Sequence, residues 1–493
     1  MPTALTRKQA FISLLLLFLL SIMLRLPNLN RPLSKHHEFN TAVILNNITS
    51  WRQAGGGYVF HYTPLMSFQH AGDKHFTKAC YIDSKGNQTY LSYGPGLFII
   101  PYWFYQLFHL PVGPVYLQIL NLLFNLATIL MLFYLFEKLV PVETDNRYLI
   151  ILVACMLFMF SPGILWYFGN GFINIDIMMP FVIGALMLLL PMLQSPEKIN
   201  AGRLILLSLL TIILIYLDWF VFFICIVAGV ISLFKIKKNK KYILLFAVLS
   251  LAAIAGIVLV FFQFASYTGW ANVATYWKLR FHDRSIEKRH STYLIMAAYV
   301  LLHLVTSYLP VLLLTATTFI ILRLKKIKYY FSKQELFFLR LYAASVLLYN
   351  IVFFNWSSEH EFSTIPFGII PAYIGARLLS LFNKRFIRKA ITFFLVFAVI
   401  QYYFINRPGD ISLNGTRYDI YKNFGLALKE IPYDYKIFMH SEPSPMIEYY
   451  SGRNFTIVHS YEDAKKYMST NAVPKAVWIE QDNFQLKKIV TIK

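Results

Sequence analysis

The sequence predicts a mainly α polytopic membrane protein of about eleven transmembrane helices, with a small C-terminal α/β domain outside the bilayer. Three observations carry that prediction. Of the 493 residues, 57% are hydrophobic and only 14% are charged, whereas a soluble domain carries about a quarter charged residues. The apolar residues fall in long blocks, and much of the lysine and arginine lies in short clusters between them, as the positive-inside rule describes. Beyond Arg407 the character changes, with apolar runs of strand length separated by polar, helical stretches.

Taken in order, Arg7 and Lys8 precede an apolar run from Ala10 to Leu24. It resembles a signal peptide but ends in Arg25-Leu26-Pro27 without a small-residue cleavage site. It is therefore expected to be an uncleaved first span with a cytoplasmic N-terminus. Residues 26–114 form a large external region. Within it, 97–110 is short, aromatic and interrupted by Pro101, the marks of an interfacial or re-entrant segment, so 115–136 is left as the crossing. The clusters Lys235–Lys241, Arg323–Lys328 and Lys384–Lys389 are expected in the cytoplasm.

Spans follow at 148–162, 175–193, 241–265, 293–323, 336–354, 363–382 and 388–405. The run 203–234 is too long for one ordinary span and is interrupted by Asp218-Trp219, so it reads as two helices with Asp218 at the outer turn. A single tilted span there would flip the parity and turn Asp176 to the cytoplasm. Residues 1–406 are thus expected to form the transmembrane domain and 407–493 the small domain, with strands at Lys436–Met439, Phe455–Val458, Ala476–Ile479 and Ile489–Ile492.

The net charge of +22 would suggest nucleic acid in a soluble protein. Here the distribution of the cations makes membrane lipid the natural partner, with anionic headgroups or a phosphorylated lipid for the remaining charge. Cys80, Cys155 and Cys225 give neither a disulfide framework nor metal-ligand spacing.

The stretch Arg31–Arg52 is the strongest candidate for chemistry. His36, His37 and Glu38 stand side by side, followed by Phe39, Ala42, Val43, Ile48 and Trp51 at helical spacing with polar residues between them. Such a helix is expected to lie on the membrane surface with its apolar side down. A glutamate that merely starts a helix, favoured by the macrodipole, is the plainer explanation. On the same side the topology places Asp176, Asp218 and the external loop 266–292, with Lys278, Arg280, His282, Arg284, Arg289 and His290. Helix-end capping is the alternative for the two aspartates, headgroup anchoring for the basic loop. The patch Ser358-Glu359-His360-Glu361-Phe362 stands at a span entrance, where its charged side chains are expected to line the same cavity, though a solvated turn explains them nearly as well. Consecutive His36, His37 and Glu38 diverge rather than converge on one ion, and no HExxH, CxxC or DxD occurs, so no metal site is expected.

Glu38 opening a juxtamembrane helix, followed by Tyr90-Leu91-Ser92-Tyr93-Gly94-Pro95-Gly96, resembles the GT-C glycosyltransferases. The branch it is most similar to contains protein O-mannosyltransferases and the lipid A aminoarabinose transferase. Asp176, the Asp218-Trp219 pair and the small C-terminal domain fit that pattern. A lone Glu38 preceded by histidines, in place of an Asp-Glu pair or DxD, is the departure.

The resemblance implies an inverting transfer of a sugar from a polyprenyl-phosphate donor to a glycan, lipid or protein acceptor on the extracytoplasmic face. Glu38 and Asp176 are the expected catalytic residues. His36, His37, Tyr93, Asp218, Arg280, His282 and His360 are the expected substrate contacts, with Lys74 and His75 as alternative phosphate ligands. The rival class is a secondary transporter or lipid flippase. Such proteins favour ionisable groups at the bilayer midplane and internal repeats, and this chain shows no repeat.

Overall fold

The computed structural model describes residues 5–29, 31–33, 38–68, 81–83, 87–172, 174–287, 291–406, 419–440, 444–482 and 485–492. Helix α1 (Arg7–Arg25) starts on a capping box, in which Thr6 and Gln9 satisfy each other's backbone N–H groups. Helix α2 (Phe39–Gln53) follows Glu38. Strands β1 (Leu65–Ser67), β2 (Tyr81–Ile82) and β3 (Gln88–Thr89) form a small antiparallel sheet in the order β1-β3-β2. Helix α3 (Gly96–Leu107) is short and contains Pro101, and α4 (Pro114–Leu139) is a full span.

Then come α5 (Arg147–Met159), α6 (Pro162–Tyr167), α7 (Asn174–Gln194), α8 (Ala201–Leu217) and α9 (Phe220–Lys235). Asp218 breaks the last two apart as the sequence predicts. Helix α10 (Lys241–Thr268) continues past the expected end of its span. Only Gly269, at φ +86°, separates it from α11 (Trp270–Arg284). The segment expected as a loop is therefore largely helical.

The remaining apolar helices are α12 (Tyr293–Leu324), α13 (Lys333–Val352), the short α14 (Phe354–Glu359), α15 (Ile369–Leu379) and α16 (Lys384–Gln401). Among the described residues, eight helices are long and apolar enough to cross a membrane, α15 being counted with the 3-10 helix Glu361–Gly368 that leads into it. Three shorter apolar helices, α5, α8 and α9, bring the set to the predicted eleven. The chain is an integral membrane protein.

The C-terminal elements are α17 (Asp419–Lys429), β4 (Lys436–Met439), α18 (Pro445–Ser451), β5 (Thr456–Ile457), α19 (Tyr461–Thr470), β6 (Ala476–Asp482) and β7 (Gln485–Ile492). The sheet order is β5-β4-β6-β7, with β4 parallel to both neighbours and β6–β7 an antiparallel hairpin. Its core gathers Phe438, Ala476, Trp478 and Ile492 under Ala464 of α19. Alternation of strand and helix is what makes such parallel pairing possible.

The chain divides into two compact units. One comprises Met1–Leu29, Gln118–Val260 and Phe281–Arg407, and is helical. The other comprises Asn30–Leu117, Phe261–Arg280 and Pro408–Lys493, and carries both sheets.

In the helical unit, Arg25 is fully buried and its guanidinium donates to the carbonyls of Leu165 (2.9 Å) and Ile164 (3.2 Å) and to Ser21 Oγ (2.8 Å). It thereby satisfies acceptors near the end of α6, where a cation is favoured. A glycine at 169 makes this possible, because a Cβ there would stand 2.7 Å from Arg25 Cδ and 3.0 Å from the Leu165 carbonyl.

Candidate active site

The sheet-bearing unit holds Glu38. The side chain does not cap α2. Its Oε2 instead accepts from Arg31 Nη1 at 2.7 Å, and the two side chains are 1% and 7% exposed. Arg31 also donates to the Pro32 carbonyl, at 2.9 Å. A buried carboxylate needs such a counter-charge, because desolvation of an unpaired ion is severe. Two residues on, the Leu33 N–H donates to Tyr450 Oη of α18 at 2.7 Å, and burial pushes that phenol's pKa up.

Asn40 Nδ2 reaches Tyr93 Oη at 3.4 Å, and Ser92 Oγ pairs with Tyr276 Oη of α11 at 2.7 Å. Tyr93 is buried, so the tyrosine expected from sequence is brought to the first turn of α2. Arg280, on the same helix as Tyr276, is half-buried. His36, His37, Lys74, His75, Arg289 and His290 lie outside the described residues.

The expectation that α2 rests on a membrane surface is overturned. Asn40, Thr41, Asn47 and Ser50 are buried, as are Val43, Ile44 and Trp51. The polar face finds hydrogen-bond partners in the protein. Asn47 Oδ1 accepts the Leu65 N–H of β1 at 2.7 Å, and Asn46 Nδ2 donates to the Pro445 carbonyl at 3.1 Å. Amphipathic spacing marks two different environments, and here the second is a hydrogen-bonded protein interior rather than water. Glu448 of α18, also buried, accepts from Asn46 at 3.4 Å, and burial holds its carboxyl well above the usual range.

The helical unit holds Asp176 and Asp218, both buried. Asp176 Oδ2 accepts from Asn121 Nδ2 of α4 at 3.0 Å, and the same amide reaches the carbonyls of Tyr167 (2.7 Å) and Gly171 (2.5 Å). Oδ1 of Asp176 has no hydrogen-bond partner among the described residues. Asp218 Oδ1 accepts the Phe220 N–H at 2.8 Å, and its Oδ2 accepts from Asn174 Nδ2. Asp218 therefore does cap the start of α9, and its bond to Asn174 ties the turn to the beginning of α7. Arg284, over the Trp356 ring at 6.0 Å, acts electrostatically on Asp218.

His282 is instead exposed, with Nδ1 3.4 Å from Glu287 Oε2. His360 stacks on Phe362, with ring centroids 5.1 Å apart.

Sequence reasoning assigns no role to Arg31, Asn121 or Tyr450, and names Glu361 only within the patch around His360. Glu361 accepts from Tyr167 Oη and Ser307 Oγ, each at 3.0 Å, and from Asn406 Nδ2 at 3.4 Å. Through Tyr167, whose carbonyl holds Asn121, this carboxylate is linked to Asp176. A signal for Asn121 is present in the row Gln118, Asn121, Asn125 and Thr128, polar residues on one face of an otherwise apolar span. Among the described residues no group of three or more His, Cys, Asp or Glu side chains stands together as metal ligands would.

This architecture is the GT-C fold of membrane glycosyltransferases. It is similar to ArnT, the lipid A aminoarabinose transferase, from Cupriavidus metallidurans bound to undecaprenyl phosphate. The TM-score is 0.61 at 10% identity, over 94% of this chain and 92% of that one. The Archaeoglobus fulgidus oligosaccharyltransferase in the apo form matches with a TM-score of 0.54 at 13% identity, over 96% of this chain and 70% of that one. The oligosaccharyltransferase AglB from the same organism, in complex with an inhibitory peptide and a dolichol-phosphate, matches with a TM-score of 0.54 at 13% identity, over 95% and 69%. No family model matches the sequence, and no curated protein matches it by sequence.

Proposed function

We propose that the protein transfers a sugar from a polyprenyl-phosphate donor to an acceptor hydroxyl on the extracytoplasmic face of the membrane, with inversion at the anomeric carbon. The observation that carries this reading is likeness of fold over almost the whole chain to a transferase bound to undecaprenyl phosphate. The N-terminus is then cytoplasmic, and both Glu38 and residues 407–493 are extracytoplasmic.

In the reaction the acceptor oxygen bonds to the anomeric carbon as the bond from that carbon to the phosphate oxygen breaks. The polyprenyl phosphate leaves with the electron pair, and the hydroxyl proton passes to a carboxylate. Glu38 is assigned as that base, a role typically worth 10²–10⁴-fold. Arg31 holds it in place. Asp176, with Oδ1 unengaged among the described residues, is assigned to the sugar, and Asp218 with Asn174 shapes its surroundings. Arg280 and His282 are assigned to the departing phosphate, which needs positive charge or hydrogen-bond donors. His36, His37, Tyr93 and His360 are assigned to substrate contact, and no metal is invoked. The acceptor is a glycan, lipid or protein.

The test is sugar transfer by membranes containing the protein, with pooled polyprenyl-phosphate sugars and a cell-envelope acceptor extract. Wild type is run beside Glu38→Gln and Asp176→Asn at matched expression. Loss in Glu38→Gln with normal folding supports the assignment, and undiminished transfer removes Glu38 from the chemistry. Movement of solute without chemical change would replace the transferase reading by a transporter.

A further inference from the structure

Of the three basic clusters between spans, the one at Arg323–Lys328 lies directly at the end of α12. The helix ends in a tight turn in which the Ile327 N–H returns to the Leu322 carbonyl at 2.9 Å and the Lys326 N–H to the Arg323 carbonyl at 3.1 Å. This turn puts Lys326 at φ +54°, a left-handed position that glycine ordinarily takes. The result is a concavity of about 510 Å³ lined by Leu322, Arg323, Lys326, Ile327, Lys328, Tyr329 and Tyr330.

Its three cations are exposed, and none makes an ion pair among the described residues. No carboxylate lines it. Arg323 lies over the Phe319 ring at 5.5 Å. By contrast Lys235, in the preceding cluster, donates to the Leu193 carbonyl and lies over Phe337.

The surroundings select among anions. Leu324 and Tyr330 are each 77% exposed, and Ile327 is exposed beside them. Large apolar side chains interleaved with these cations at the end of a 32-residue apolar helix stand at the depth where acyl chains give way to phosphates. A free phosphate would meet the cations but leave Leu324 and Ile327 in water. A phospholipid satisfies both.

We propose that the turn between α12 and α13 is a binding site for the headgroup of an anionic phospholipid. Arg323, Lys326 and Lys328 hold the phosphate, Tyr329 and Tyr330 flank the headgroup, and Leu324 and Ile327 meet its acyl chains. The proposal requires only that the chain is a membrane protein, and stands whether or not the transferase reading does.

The test uses the full-length protein in mild detergent, with retention of phosphatidylglycerol counted by native mass spectrometry against phosphatidylcholine. Two triple variants remove the same charge, Arg323→Gln/Lys326→Gln/Lys328→Gln at the site and Lys237→Gln/Lys238→Gln/Lys240→Gln at the other cluster. The expected result is one retained phosphatidylglycerol in wild type and in the second triple, with affinity about a hundredfold lower in the first, since each juxtamembrane cation contributes comparably. Equal retention in all three proteins, equal loss in both triples, or displacement by millimolar inorganic phosphate would each overturn it. Thermal unfolding of both triples checks that loss of lipid is not loss of fold.

Discussion

The Arg31–Glu38 pair gives the sharpest test of how the Glu38 carboxylate is held. At 2.7 Å, an effective dielectric constant of about 20 gives an attraction of about 6 kcal/mol, against which the desolvation of both ions must be set. The net worth of the pair is therefore small, whereas the penalty for removing one partner is large. Arg31→Met keeps much of the stem volume and strands a carboxylate that is 1% exposed. It should destabilise the sheet-bearing unit by about 3–5 kcal/mol. Arg31→Met/Glu38→Gln removes the stranded charge as well and should recover most of that loss.

The assay is equilibrium denaturant unfolding in mild detergent, followed by tryptophan fluorescence. Trp51 is suited to it, being fully buried on α2 and edge-on to Tyr62 and Tyr102. A single-variant loss below about 1 kcal/mol, or a double variant as unstable as Arg31→Met, would refute the reasoning, because a surface-like pair is worth no more than that.

Four further perturbations follow from the same structure. Burial raises the Glu448 pKa above its ordinary 4.5. Its proton therefore contributes stability that is complete below pH 4.5 and is lost as pH rises through the folded-state value. Glu448→Gln should flatten that part of the profile, and thermal unfolding from about pH 4 to about pH 8 would show an unchanged slope if this is wrong. Gly169→Ala drives a methyl against Arg25 and the Leu165 carbonyl and should lower stability by about 1–3 kcal/mol, with unaltered thermal unfolding as the contrary result. Asp218→Asn sets a second amide against Asn174 and should cost about 1–3 kcal/mol. Asp176→Asn retains an acceptor for Asn121 and should spare stability while abolishing transfer, so a comparison of unfolding and activity in the two variants separates a structural aspartate from one that holds the sugar.

The spans are legible in the sequence because a bilayer imposes a length and a composition that each apolar run must meet by itself. The break at Asp218 and the strand at 436–439 fall where local signals put them, and the strand expected at 476–479 starts there and runs on to Asp482. What those signals cannot give is environment. Helix α2 has the spacing of a surface helix, and only the distant partners of Asn46 and Asn47, at Pro445 and Leu65, turn its polar face inward. The run Trp270–Arg284 is too polar to read as a span and so resembles a loop, yet helical hydrogen bonding resumes in it after a single glycine.

The candidate site is legible residue by residue and not pair by pair. An acid in an apolar or juxtamembrane setting is conspicuous because its burial is unfavourable, and that singles out Glu38, Asp176 and Asp218. The groups that make the burial tolerable are not conspicuous. Arg31 is seven residues from Glu38 in a polar segment, and Asn121 is 55 residues from Asp176. Nothing local distinguishes them from other arginines and asparagines. Yet an intramembrane carboxylate implies that a donor must exist, and α4 offers Gln118, Asn121 and Asn125 on one face. Counting donors as well as acids along the chain narrows the search to that face. Glu361 follows the same logic, since its partners Tyr167, Ser307 and Asn406 come from three separate segments, of which only that of Ser307 lies within an expected span, and only their convergence marks the carboxylate as interior.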